Sequence, residues 1–263
     1  MIDAGKIYLV GAGPGDPELL TVKAHKLLAL ADVILHDDLV PAAILALAGP
    51  RTEVVNVGKR CGAKGATQWE INARMIGAAR AGLSVVRLKS GDPAIFGRLA
   101  EEIDALEAAN IPWEIVPGIT AGLAAASALG ASLTDRRKSA RVVIVTNHHA
   151  AGSDGPTPRD WQALAREDAT LIIYMPGRNL ENLREQLLAA GLPAEIPTAV
   201  VSRAATPEQS VECARLGQVN SLPKIPAPSI LLVGWSLDGA VRRHLAANAA
   251  SLLAEADLIL SVR

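Results

Sequence analysis

The sequence predicts an α/β fold arranged as two α/β domains. Short aliphatic runs alternate with helix-length stretches along nearly the whole chain, and glycine-bearing turns follow several of those runs. The alternation pauses once, near Pro117–Ile119, and then restarts. Such alternation is the signature of parallel βαβ units. The 263 residues are 50% hydrophobic but only 3% aromatic, so the core is aliphatic. A chain of this length buries roughly 70–75% of its unfolded surface, enough for one large domain or two modest ones.

Taken in order, Lys6–Val10, Val33–Leu35, Glu53–Val57, Ser84–Leu88 and Trp113–Val116 read as buried strands. Between them Glu18–Leu30, Pro41–Leu47, Gln68–Arg80 and Arg98–Ala109 read as helices. A small-residue stretch, Thr120–Leu129, is helical in pattern. Strands then resume at Arg141–Thr146, Thr170–Met175, Thr198–Ser202 and Ser229–Val233, with helices at Trp161–Arg166 and Leu180–Ala190. The expected domains are residues 1–118 and 119–239. A helical tail, 240–263, follows, with Val241, Leu245 and Leu252 on one stripe and Arg242 and Arg243 off it, as in a helix packed on the body or a partner.

The charge balance, 26 Lys+Arg against 27 Asp+Glu, argues against a nucleic-acid binder, which carries a basic excess or stripe. It leaves room for a local basic pocket. Cys61 and Cys213 are too few and too scattered for a disulfide framework or a thiolate metal site. The first residues lack the charged and apolar regions of a signal peptide. The longest weakly polar stretch, Leu123–Leu133, is too short to span a bilayer. A soluble, cytoplasmic protein is expected.

Three loops are candidates for chemistry. Gly11-Ala12-Gly13-Pro14-Gly15-Asp16 follows the first strand but puts Asp16 where a dinucleotide fingerprint needs its third glycine, and Pro14 removes an N–H donor. Asp16-Pro17 suits a helix cap and first helical position. The loop is therefore a tight turn that admits a ligand to the backbone without an evident phosphate cradle; alone, it reads equally well as purely structural. Lys89–Arg98 follows the fourth strand, and Pro117-Gly118-Ile119-Thr120-Ala121 the fifth. Glycine turns at strand ends of one open sheet define a crevice where ligands bind.

These segments resemble a known family. Tyr8–Leu20, His36–Val40, Val57–Arg60, Gln68–Asn72, Leu88–Glu102 and Val116–Ala121 are similar to the tetrapyrrole methylases, especially the branch acting on uroporphyrinogen III. The likeness continues through Leu133-Thr134, Val145-Thr146, Tyr174-Met175, Ser202–Gln209 and Pro228–Gly234, and covers about residues 6–235. With no nicotinamide-dependent dehydrogenase portion ahead of it, a stand-alone methylase is expected.

The resemblance implies a dimer of two-domain subunits with S-adenosylmethionine folded into the cleft between the domains and S-adenosylhomocysteine as product. On matching positions the cofactor would touch Pro14, Ser90, Gly91, Asp92, Ile95, Thr120, Ala121, Met175 and Ala204. A phosphate-free cofactor suits backbone groups, one carboxylate and apolar walls. Met175 would otherwise read as a core filler. The implied reaction moves two methyl groups, to C2 and C7 of uroporphyrinogen III, giving precorrin-2, in a pathway to sirohaem, cobalamin or haem d1. The family's proton acceptor matches Asp37 and its donor Lys59. Arg98 and Glu101 are a second candidate pair, three residues apart on one face of a helix start. For the carboxylate-rich substrate, Arg98, Arg136, Lys59, Arg60 and Lys64 are candidate cations, because arginine above all grips carboxylates bidentately. His148 falls where the family has a histidine; Arg137 and His149 read as surface residues. No metal site is expected.

Some positions depart from the family pattern. Ser90 replaces the first glycine of Gly-Gly-Asp, Leu99-Ala100 replace a glycine pair, and Asp38, Lys64 and Asn147 stand where arginine, histidine and glycine are common. Ser90 fits if its φ is ordinary, since only φ > 0 demands glycine. Leu99-Ala100 would narrow the tetrapyrrole side of the cleft. Three other functions remain in view: a methylase of a later precorrin, a non-catalytic cofactor-binding module and an RNA-directed relative. The retained Asp37, Lys59, Arg98 and Glu101 oppose the second, and the charge balance opposes the third.

Overall fold

The computed structural model describes residues 3–58, 66–147, 158–177 and 179–261. The chain divides into two compact units, residues 1–121 and 122–263. Both combine a five-stranded sheet with helices.

In the first unit the strands are β1 (Ile7–Gly11), β2 (Val33–His36), β3 (Glu53–Asn56), β4 (Val85–Lys89) and β5 (Trp113–Val116). They pair in the order β3-β2-β4-β1-β5, every pair parallel. The connections from β1 to β2 and from β4 to β5 each skip over a neighbouring strand and leave in opposite directions. The carboxyl ends of β1 and β4 are thus a topological switch point, where open parallel sheets bind ligands. β1 and β4 are buried along their whole length, as strands covered on both faces must be.

The helices are α1 (Val22–Leu30), α2 (Ala42–Leu45), α3 (Gln68–Arg80) and α4 (Leu99–Ala108). The single helix expected over Glu18–Leu30 is instead two pieces. Asp16 caps a short 3-10 turn, Pro17–Leu19, by accepting from the Glu18 amide at 2.9 Å. Leu20 and Thr21 are then extended, and Thr21 caps α1 through the Ala24 amide at 3.1 Å. A threonine that satisfies an orphan amide is a better start than an interior helical residue. Helix α3 opens with a capping box in which the side chains of Thr67 and Glu70 each accept from the other's backbone amide.

The second unit contains α5, which starts at the first unit's last residue (Ala121–Leu129), then β6 (Arg141–Thr146), α6 (Pro158–Leu164), β7 (Ala169–Tyr174), α7 (Leu180–Ala189), β8 (Pro197–Ser202), β9 (Ser210–Arg215), β10 (Ser229–Val233) and α8 (Asp238–Ser261). Its sheet runs β6-β7-β10-β8-β9, and only β6 and β7 pair in parallel. This corrects the expectation of a repeated parallel βαβ pattern. Strand β9 went unread because Ser210, Glu212 and Arg215 interrupt its apolar residues, as befits an edge strand with one solvated face. Helix α8 packs on β8 and β9 with Val241 fully buried, while Arg242 pairs with Asp238 and Arg243 donates to the Gly130 carbonyl. Among the described residues no helix is long and apolar enough to cross a membrane.

Cys213 of β9 is buried, and burial followed by the neighbouring Glu212 charge pushes its thiol up to about 12. Because the thiolate is the reactive form, alkylation at pH 8 is expected to leave Cys213 unmodified in the native protein and to modify it in denaturant. Peptide mass mapping checks this; native modification at Cys213 would contradict the burial.

Candidate functional site

At the switch point three backbones converge. Gly13 and Gly91 exchange hydrogen bonds of 3.1 and 2.8 Å, and the Ala12 amide donates to the Lys89 carbonyl at 2.8 Å. A Cβ on Gly11 would fall 2.6 Å from both the Gly118 nitrogen and the Gly91 oxygen. On Gly118 it would lie 2.3 Å from the Gly91 oxygen and 2.9 Å from the Gly11 Cα. Only residues without a side chain permit this approach. Asp92 secures the third loop: its carboxylate accepts from the Gly118 amide at 3.0 Å and the Ala94 amide at 2.8 Å. Thr120 and Ala121 lie against Gly91, each with a backbone atom 3.7 Å from a Cβ placed there.

The amides of Ala12, Gly13, Gly91 and Gly118 therefore all donate within the loops, and Pro14 has none to donate. An anion cradle needs free amides pointing outwards. Beside these engaged amides lie the half-buried Pro14, Ser90 and Ile95. Ser90 keeps a negative φ and the left-handed position is Gly91, at φ 69, so the serine is accommodated without strain.

Asp37 immediately follows β2, its amide bonded to the Leu88 carbonyl at 3.1 Å. Its carboxylate takes a hydrogen bond from Arg87 of β4. Arg87 is 3% exposed and also donates through Nε to Glu102 at 2.9 Å, while Lys89, 2% exposed, donates to the other Glu102 oxygen at 2.7 Å. Burial works against the Arg87 charge, yet Asp37 and Glu102 beside it outweigh burial and raise its pKa. For Lys89 burial wins: burial, then Arg87, lower its pKa against the pull of Glu102.

Arg98 precedes α4 in a left-handed conformation, φ 55, and grips Glu101 with Nε and Nη2 at 2.7 and 2.5 Å. Both side chains are about half exposed. Exposed pairs of this kind contribute only about 0.2–1 kcal/mol, so the two side chains are weakly held to each other. Leu99 packs against the core cluster that holds Met75 and Leu106, and Ala100 is exposed. The replacement of glycine by leucine is thus absorbed in the core of the first unit.

In the second unit the register sets Met175 and Ala204 at one edge of the sheet. Tyr174 pairs with Ile230 and Ser202 with Ser229, so the residues after β7 and β8 flank the start of β10. Met175 has φ 50 and is 45% exposed; Ala204 is buried between Arg203 and Ala205, at φ 46 and 60. Among the described residues six non-glycine positions have positive φ, and five of them (Phe96, Arg98, Met175, Arg203 and Ala205) lie in these strand-end loops. Strain of this kind gathers at functional sites. Asn147 follows β6 at the same edge, its amide bonded to the Tyr174 carbonyl at 2.9 Å.

Arg136 is exposed in a turn whose Asp135 is clamped by Arg137 at 3.0 and 2.9 Å. Lys59, Arg60, Lys64, His148 and His149 lie outside the described residues. Sequence reasoning missed Arg87, Lys89 and Glu102. The available signal was two cations inside an otherwise aliphatic strand, since buried charges require partners.

The glycine contacts make a testable contrast. Gly118→Ala is expected to lower stability by at least about 2 kcal/mol, because the overlap is with backbone. Gly77→Ala, in α3 where a Cβ meets nothing within 4 Å, is expected to raise it by roughly 0.5–1 kcal/mol. Denaturant midpoints at unchanged slope measure both; equal effects would remove the steric reading.

Residues 6–220 match the model of the Tetrapyrrole (Corrin/Porphyrin) Methylases. The chain is 42% identical over 233 residues to siroheme synthase 1 of Klebsiella pneumoniae, covering 88% of this chain and 49% of that protein. It is 44% identical over 236 residues to siroheme synthase 1 of Halorhodospira halophila, covering 88% and 48%. The chain thus spans about half the length of the curated relatives it matches. A uroporphyrin-III C-methyltransferase from Thermus thermophilus, solved with S-adenosylhomocysteine, superposes with a TM-score of 0.75 at 39% identity, over 87% of this chain and 92% of that one. A cobalt precorrin-4 methyltransferase gives 0.79 at 30% identity, over 89% and 96%. With that match over most of its length, and with the strand-end loops built as described, the chain belongs to the tetrapyrrole methylase family.

Proposed function

We propose that this chain methylates carbon atoms of uroporphyrinogen III, at C2 and C7, with S-adenosylmethionine as donor, giving precorrin-2. The observation that carries the reading is the glycine-floored switch point whose Ala12, Gly13, Gly91 and Gly118 amides are already bonded, next to a carboxylate, Asp37, held at the end of the adjoining strand β2. A floor whose central amides are engaged suits a phosphate-free, positively charged cofactor recognised by shape and a few polar contacts. Support comes from the Thermus thermophilus protein, whose name gives C-methylation of uroporphyrin III and whose structure contains the demethylated cofactor.

The residues fit that cofactor. In the first unit Pro14, Ser90, Gly91, Asp92, Ile95, Thr120 and Ala121 would hold it, with Asp92 acting mainly by fixing the loops; in the second unit Met175 and Ala204 would supply apolar contact. The bound cofactor supplies an electrophilic methyl group. The chain's own contribution is alignment, worth up to about 7–11 kcal/mol in favourable cases, and proton removal from the attacked pyrrole. Asp37 is the proton acceptor in this reading and Lys59 the donor. Arg98 receives a substrate carboxylate in exchange for Glu101, with Arg136 and His148 as further substrate contacts. A homodimer and a cytoplasmic location complete the proposal. A second reading, methylation of a later precorrin, draws on the likeness to the cobalt precorrin-4 enzyme.

Anaerobic incubation with S-adenosylmethionine and freshly reduced uroporphyrinogen III, followed by mass analysis, is expected to reveal two added methyl groups. No addition, with S-adenosylhomocysteine binding confirmed in the same sample, would transfer the assignment to a later precorrin. Asp37→Ala is expected to cut turnover by about 10²–10⁴-fold while leaving cofactor affinity nearly unchanged. Lost cofactor binding would make Asp37 structural.

A further inference from the structure

Glu102, buried beneath Asp37, has more cationic partners than its own neutralisation requires. Glu102 is fully buried and already has a charged partner in Lys89, at 2.7 Å. Arg87 adds a second buried cation at 2.9 Å. Taking each ion out of water costs several kcal/mol, recovered only where geometry is good, and apolar residues of similar volume are often as stable or more so. Stability therefore gives a weak reason for Arg87.

Its geometry gives a better one. The guanidinium is a planar fork, and here every arm is placed. Nε goes to Glu102 on α4, Nη1 lies 3.3 Å from the carbonyls of Leu35 and Leu88, and Nη2 reaches the Asp37 carboxylate. One side chain thus joins α4 and β4 to the end of β2. Glu102 is itself held by Lys89 and lies 3.5 Å from the Gln68 amide nitrogen on α3. Asp37 is 31% exposed, so its side chain is not sealed in the interior as Glu102 is.

We propose that Arg87 is a positioning residue for the reaction: anchored from below by the buried Glu102–Lys89 pair, it fixes the Asp37 carboxylate in the orientation from which it takes the substrate proton. This rests on the reading of Asp37 as proton acceptor. Arg87 itself touches neither substrate nor cofactor. Lysine at this position keeps the charge but cannot reach Glu102, two carbonyls and Asp37 together.

The test is a double-mutant cycle on the full chain, with single-turnover methylation as one readout and calorimetric S-adenosylhomocysteine affinity as the other. Arg87→Lys is expected to lower the rate about 10- to 100-fold, the scale of a roughly 1 Å misplacement, with KM for the tetrapyrrole and cofactor affinity within about twofold of the parent. In an Asp37→Asn background the same change is expected to add less than about twofold, because residues acting as a unit are not additive. A crystal structure of Arg87→Lys is expected to place the Asp37 carboxylate elsewhere. If Arg87→Lys does not fold, Arg87→Met removes one buried charge, leaves Lys89 and Glu102 to neutralise each other, and carries the same expectations. Additive losses in the cycle, with Asp37→Asn itself impaired, would overturn the positioning role alone. Unchanged turnover in Asp37→Asn would overturn the assignment of Asp37 and the positioning role with it.

Discussion

No side chain fits where the ends of β1, β4 and β5 converge, and the arrangement of the first unit follows from that exclusion. Gly11 and Gly118 let the backbones approach to contact, Gly91 supplies the left-handed turn, and the Gly13–Gly91 bridge and the Asp92 carboxylate then bind the loops to one another. The strand order places this point where the crossovers part, the position at which open parallel sheets bind ligands. Each loop's conformation depends on the other two. The site is therefore a property of the sheet's topology rather than of any single motif.

Beneath the floor, the interior does what an aliphatic core seldom does and carries ions. Arg87 and Lys89 of β4 and Glu102 of α4 are buried charges in an otherwise aliphatic interior, and their ion pairs tie the strand to the helix. Asp37 at the end of β2 completes the balance of two cations and two carboxylates. The buried charges are closely partnered, whereas the exposed pair, Arg98 with Glu101, is weakly held.

Much of this was legible in the residues. The aliphatic runs located every strand of the first sheet to within a residue or so, and the three glycine loops were visible because glycine after a buried run has few other uses. Strand direction in the second unit was not legible, since β8, β9 and β10 have the composition of strands of either sense. The break at Leu20–Thr21 was hidden by apolar periodicity that runs through it. The Arg87–Glu102 contact spans 15 positions of sequence, and no local pattern brings such residues together; the only trace was charge within a strand otherwise made of valine and leucine.

The interlocking of the strand-end loops also bears on the thermodynamics of recognition. Backbone groups that already bond to one another leave few torsions for an incoming molecule to freeze, so the entropic penalty of association falls mainly on the ligand. To the extent that such a template keeps its shape, discrimination between two similar ligands arises from direct contact differences rather than from how readily the loops reorganise around each.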